Sequence, residues 1–129
     1  KRSTTATKPR SRPPPFSLGL SHSGRPAMVD PVAAEFFDLQ MEDSANRRCA
    51  DSGCSDPQWA SISHGIYIGI GPSGIHRSLG VKVSFVQSTT MDSWKPLHLK
   101  MMELGGNRRF FNFLREHHVP EDLPIRERY

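Results

Sequence analysis

Two strand signals stand so close together that only about two helical turns fit between them, and this limits the fold more than any other feature of the chain. Gly65-Ile66-Tyr67-Ile68-Gly69-Ile70 reads as one short strand. Val81, Val83 and Phe85, alternating with Lys82, Ser84 and Val86, read as another. Between them Ser73 can cap a short helix that carries His76 and Arg77 and stops at Gly80. Gly69-Ile70-Gly71-Pro72-Ser73-Gly74 matches G-x-G-x-x-G, follows a strand, opens a helix and has Asp92 downstream. A dinucleotide site still does not fit. A parallel crossover needs roughly a dozen residues or more. Pro72 removes an N–H from the loop that should cradle phosphate, and too little chain remains for a nucleotide-binding sheet. The match is read as accidental.

The chain of 129 residues predicts one folded domain. It does not begin with Met, and reads as a fragment, a processed chain or an imperfect gene model. Residues 1–29 are rich in Ser, Thr, Pro and Arg and hold six basic residues and no acid. Such a segment buries too little apolar surface to offset its ordering entropy, and is expected to be a disordered basic tail. Met28 is an alternative start. The rest of the chain has 17 − 6 = 11 basic against 13 acidic residues, a net −2. The basic balance therefore belongs to the tail, which argues against a nucleic-acid-binding surface on the domain. No apolar run approaches the ~20 residues of a membrane-spanning helix.

From Asp30 onward order is expected. Asp30 can cap a helix with Pro31 at its first position, carrying Val32, Phe36, Phe37 and Leu39 as its apolar stripe to about Asn46. Residues 47–63 read as turn-rich. Asp92 is the expected cap of a helix through Leu97 and Met101 to Leu104. Asn107 is the expected cap of another, with Phe110, Phe111 and Leu114. The end, from His117 to Tyr129, is charged and interrupted by Pro.

A spacing cuts across these elements. Cys49, Ser52, Gly69, Pro72 and Arg77 stand in the frame x2, x16, x2, x4. Two x2 pairs at about this separation are the ladder of a four-cysteine zinc module. Only Cys49 fills its rung, and the second cysteine, Cys54, lies outside the frame.

Here the chain resembles the ArfGAP family, the zinc-finger GTPase-activating domains for Arf-type small GTPases, whose pattern is C-x2-C-x16-C-x2-C-x4-R. Asp56-Pro57-Gln58-Trp59-Ala60-Ser61 resembles its D-P-x-W-A-S. Ser73 to Val81 resembles S-G-I-H-R-x-L-G-V. Ser84-Phe85-Val86, Thr90 to Trp94 and Gly105-Gly106-Asn107 continue the likeness, which covers about Ala34 to Arg128. The resemblance implies an α+β domain over residues 30–129, with a small zinc-finger-derived mixed sheet surrounded by helices and a degenerate zinc site. It also implies further helix beyond Tyr129, so that the domain is truncated at its C-terminal end. Arg77 falls at the catalytic arginine.

The function implied is activation of an Arf-type GTPase in its GTP form, with the chain acting as a regulator rather than as a hydrolase. Its place would be cytoplasmic, at Golgi or vesicle membranes, with recruitment through other regions and no nucleic-acid partner. The alternative is a catalytically impaired ArfGAP-like interaction module or a degenerate gene product.

The departures bear on the cofactor. Zinc is expected from the family, but Ser52 is a poor ligand, and Gly69 and Pro72 offer no ligating side chain. The expectation is therefore a zinc site lost or weakened, with Cys49 its one surviving ligand and Cys54 a possible second. A rescue set of Cys49, Cys54, His64 and His76 is conceivable, but a non-ligating His76 beside the arginine and a loop His64 are the plainer reading. Structural zinc contributes ~10–16 kcal/mol in small fingers, against ~5–15 kcal/mol for a whole domain. A destabilised stretch around residues 47–72 is expected. Lys82 and Gln87 replace the family's usual His and Arg. Trp59 and Trp94 read as core residues.

Overall fold

The structure, a computed structural model, describes residues 30–129; the tail expectation for residues 1–29 lies outside them. Among the described residues five α-helices and three strands follow one another: α1 (Pro31–Gln40), β1 (Trp59–Ser61), β2 (Ile66–Ile68), α2 (Ile70–Ser78), β3 (Val86–Ser88), α3 (Pro96–Leu104), α4 (Asn107–Glu116) and the single turn α5 (Ile125–Arg128). The strands form one sheet in the order β2-β1-β3. Trp59 pairs with Ile68 on one side and Ser88 on the other, and both pairings are antiparallel. The expected mixed sheet is therefore an antiparallel one.

Asp30 caps α1 as its sequence position predicts, accepting from the N–H groups of Val32 and Ala33 at 3.1 Å. Its other oxygen accepts from the Trp94 N–H at 3.1 Å, fastening α1 to the turn that leads into α3. The buried stripe of α1 is Ala33 and Phe37 with Phe36 at its edge, while Val32 and Leu39 face outward. The expected stripe was thus rotated, because two of its large apolar residues sit on the wrong side of the i, i+4 row that meets the core. The helix ends at Gln40 instead of Asn46, since Asp43 opens a separate 3₁₀ turn, Ser44–Arg47, by accepting from the Ala45 N–H.

β2 is buried on both faces. Tyr67 packs with Ala33, Phe37, Trp94 and Met102. Ile66 and Ile68, pointing the other way, pack with Cys49 and Ala50, flanked by Trp59, Phe110, Phe111 and Tyr129. Phe37 meets Trp94 edge-on at 4.9 Å, and the Trp94 indole N–H donates to the Ser88 carbonyl at 3.0 Å. Leu97 and Met101 turn out to be exposed, and α3 packs through Leu99 and Met102 instead.

Other boundaries shift for local reasons. The Gly80 carbonyl accepts from both Val83 and Ser84, closing a turn that leaves Val81 and Val83 outside the sheet, so β3 begins only at Val86. Asp92 does not cap α3; its carboxylate accepts from the Ser88 N–H at 2.7 Å. Gly105 is required where it stands: a Cβ there would lie 2.9 Å from the Gly65 backbone.

Candidate functional site

α2 begins at Ile70, directly behind Gly69, and not at Ser73. Gly71, Pro72, Ser73 and Gly74 therefore lie inside a helix and form no phosphate loop, which agrees with reading the G-x-G-x-x-G match as accidental. α2 presents two neighbours in opposite directions. His76 is fully buried, and Arg77 is exposed.

The Arg77 guanidinium sits over the Trp59 indole, 4.8 Å from the ring centroid. Trp59 is only partly buried. It is a platform for Arg77 as well as a packing residue, which corrects the reading of it as core alone; Trp94 is core as expected. Arg77 opens onto a groove of about 510 Å³ that Gln87, Asp92, Lys95 and His98 help to line. Gln87 donates to the Ser93 carbonyl at 2.9 Å, and Lys82 lies exposed in the turn before β3. The groove therefore places a cation stacked on Trp59 beside polar side chains and the apolar Phe85, Val86 and Trp94, which suits a group that lends charge to something docked against it.

Behind Arg77 runs a buried polar chain that sequence reasoning missed. His76 Nε2 lies 2.7 Å from Asp51 Oδ2, and His76 Nδ1 lies 2.7 Å from Ser84 Oγ. Ser84 Oγ is in turn 2.6 Å from Ser61 Oγ. A neutral imidazole satisfies all of these: Nε2–H donates to Asp51, Nδ1 accepts from Ser84, and Ser84 accepts from Ser61. The other Asp51 oxygen accepts from Tyr129 Oη at 2.5 Å and from Arg128 at 3.1 Å. Burial and the Asp51 charge hold the Tyr129 phenol far above its ordinary value, so it stays a donor. The only sequence hints were the position of Asp51 inside the x2 turn and of His76 beside Arg77.

The ladder positions do come together, but the donors for zinc are not there. A Cβ on Gly69 would stand 4.0 Å from both Cys49 Sγ and Pro72 Cδ. Buried Cys49 Sγ faces the N–H groups of Asp51 and Ser52 at 3.4 and 3.3 Å. Ser52 Oγ accepts from the Cys54 N–H at 3.3 Å, and Cys54 is exposed. Both ring nitrogens of His76 are engaged, which removes it from the rescue set. Among the described residues no three His, Cys, Asp or Glu side chains are grouped to hold a metal. A structural zinc site needs four ligands, and this donor set does not fit it.

The fold and this site define a small α+β domain that displays one arginine from a buttressed helix. Residues 34–128 match the ArfGap family, described as "Putative GTPase activating protein for Arf". The chain belongs to this family. It is 44% identical over 101 residues to "ADP-ribosylation factor GTPase-activating protein GCS1" of Saccharomyces cerevisiae, covering 78% of this chain and 29% of that protein. It is 47% identical over 73 residues to "ADP-ribosylation factor GTPase-activating protein 3" of Mus musculus, covering 56% of this chain and 14% of that one. The chain thus spans less than a third of the length of these curated relatives. The crystal structure of a "putative GTPase activating protein for ADP ribosylation factor" from Cryptosporidium parvum superimposes with a TM-score of 0.71 at 32% identity, over 76% of this chain and 78% of that one. The ArfGap domain of human RIP shares the fold, with a TM-score of 0.58 at 16% identity over 70% of this chain and 66% of that one.

Proposed function

We propose that the chain stimulates GTP hydrolysis by a GTP-bound Arf-type small GTPase, with Arg77 as the arginine supplied in trans. The observation that carries this is the pairing of an exposed Arg77 with a fully buried His76 on the same helix. The named relatives support the partner class. Hydrolysis builds negative charge on the transferring phosphoryl oxygens, and an arginine entering from a second protein is worth ~10³–10⁵ in rate. The planar, permanently charged fork is what the role requires. The chain is then a regulator that brings one side chain to a reaction centred on its partner. No step is routed through zinc. Such an activity belongs at the cytoplasmic face of Golgi or vesicle membranes, with membrane recruitment by other regions.

The missing zinc donors favour a second reading, an interaction module that binds the GTPase without accelerating it. Single-turnover GTP hydrolysis on an Arf separates the two. Stimulation that Arg77→Ala abolishes supports the proposal. Binding without stimulation by the folded wild-type chain leaves the second reading.

A further inference from the structure

The Cys49–Cys54 turn and the start of α2 meet at the ladder, and the chain holds them together without a metal donor set. Asp51 does the holding. Its side chain is 0% exposed and reaches four segments: α2 through His76, β1 and the turn before β3 through the Ser84–Ser61 relay, and the last residues through Arg128 and Tyr129. Arg128 has only 6% of its side chain exposed. It also donates to the carbonyls of Glu121 and Leu123 at 3.0 and 3.3 Å, so it ties the 120–129 segment to itself as well as to Asp51. The Tyr129 ring stacks on Phe110 at 6.0 Å and 10° and packs against His76 at 4.5 Å. A buried carboxylate with one buried arginine is charge-neutral, and the carboxylate's remaining lone pairs meet donors, while of the Arg128 donors Nε–H is buried without a partner. Charge neutrality and hydrogen bonds to the carboxylate and to both terminal guanidinium nitrogens are what let a buried ion pair hold its geometry.

We propose that the domain is metal-independent, and that the Asp51–Arg128–Tyr129 clasp takes the place of zinc in fixing α2 and thereby positions Arg77. The aiming of Arg77 rests on the function proposed above; the metal independence does not. Asp51, Arg128 and Tyr129 are positioning residues that act through His76, one residue from Arg77. Tyr129→Phe keeps the ring on Phe110 and removes only the O–H. Arg128→Lys keeps the charge but cannot span from Asp51 to both carbonyls.

The test uses the 129-residue chain. Elemental analysis should find substoichiometric zinc, and a chelator should leave the melting temperature unchanged, since removing a bound ligand lowers it. The Arg77 side-chain NMR resonances, shifted by the Trp59 ring beneath, should move toward free-arginine values in folded Tyr129→Phe and Arg128→Lys. If the wild type stimulates an Arf, both variants should lower kcat about tenfold with KM within about twofold, and added zinc should restore neither readout. Stoichiometric zinc with a chelator-sensitive melt overturns metal independence. Unchanged Arg77 resonances in both folded variants, or restoration by zinc, overturn the clasp. A wild type that fails to stimulate any Arf removes the functional reading alone, because zinc content and resonances are read without a GTPase.

Discussion

The Arg77 guanidinium rests 4.8 Å above the centre of the Trp59 ring. Trp59 opens β1, and Arg77 lies near the end of α2, so the contact joins the sheet to the helix and holds the guanidinium in one direction before any partner arrives. A cation over an indole at an exposed site contributes ~0.5–1 kcal/mol. Trp59→Leu should therefore lower kcat/KM for stimulated GTP hydrolysis by about two- to fivefold beyond any loss of folded protein. The same substitution in an Arg77→Ala background should cost nothing further. A double-mutant cycle measures the difference, and a coupling of zero means that the stack does not aim the arginine.

Arg77→Lys should behave much like Arg77→Ala. The ammonium keeps the charge but has no fork to span two phosphoryl oxygens and stacks less well on Trp59. The expected loss of stimulation is on the order of 10³-fold or more. The melting temperature should fall by no more than the loss of the ~0.5–1 kcal/mol Trp59 stack implies, because the side chain is otherwise exposed. Single-turnover assays beside a thermal melt check this. Near-full activity in the lysine variant would show that only positive charge is needed.

The family frame that singles out Arg77 was legible in the sequence because it is local: fixed spacings from Cys49, and a run of matching residues on either side. Capping of α1 by Asp30 was legible for the same reason. Asp51 was not. It is one acid in a turn, and its partners His76, Arg128 and Tyr129 lie 25, 77 and 78 residues away, so its place inside the x2 turn does not by itself reveal what it holds. β1 was hidden by its setting: three residues between Pro57 and the turn at 62–65 form a strand only because Ile68 and Ser88 pair with Trp59 from both sides. Val81 and Val83 failed in the opposite direction. They alternate as a strand should, but Gly80 folds them into a turn first. Trp59 was placed in the core because it follows a Pro turn and precedes Ala60-Ser61, though its partly exposed ring is what Arg77 uses.

Asn107 is the polar residue on which the junction of α4, β2 and the 3₁₀ turn depends. It is fully buried. Its Oδ1 accepts from the Tyr67 N–H at 2.8 Å, and its Nδ2 donates to the carbonyls of Ala45, Arg48 and Tyr67 at 2.7 to 3.2 Å. Its own N–H donates to Asn46 Oδ1 at 2.9 Å. Asn107→Asp keeps the shape and replaces the NH₂ by an oxygen facing three carbonyls. The expected loss is ~3–5 kcal/mol, the scale of a buried charge without its partner, read by urea unfolding. A loss below about 1 kcal/mol would mean that the site is open to water.

His64 should give the domain an acid-side weakness that begins near neutrality. Burial is the main reason its imidazole is held below the ordinary 6.5, with the nearby His76 acting in the same direction; a hydrogen bond to the Val83 backbone and the Asp51 charge oppose them. Its Nε2 is buried without a partner, and its ring lies 4.6 Å from that of Tyr129. Because the folded value is depressed, the unfolded chain takes up the proton first as pH falls. The His64 contribution to stability is therefore complete above about 6.5 and is lost progressively below it, until pH reaches the folded value. Asp43, whose carboxyl Arg108 holds below its ordinary 3.8, acts only further down, losing its contribution as pH falls below 3.8. Urea unfolding at about pH 7.5 and about pH 5.5 isolates the histidine from that carboxylate. The wild type should lose stability between the two, and His64→Leu should lose measurably less. Equal slopes in the two proteins would place the acid sensitivity on another histidine.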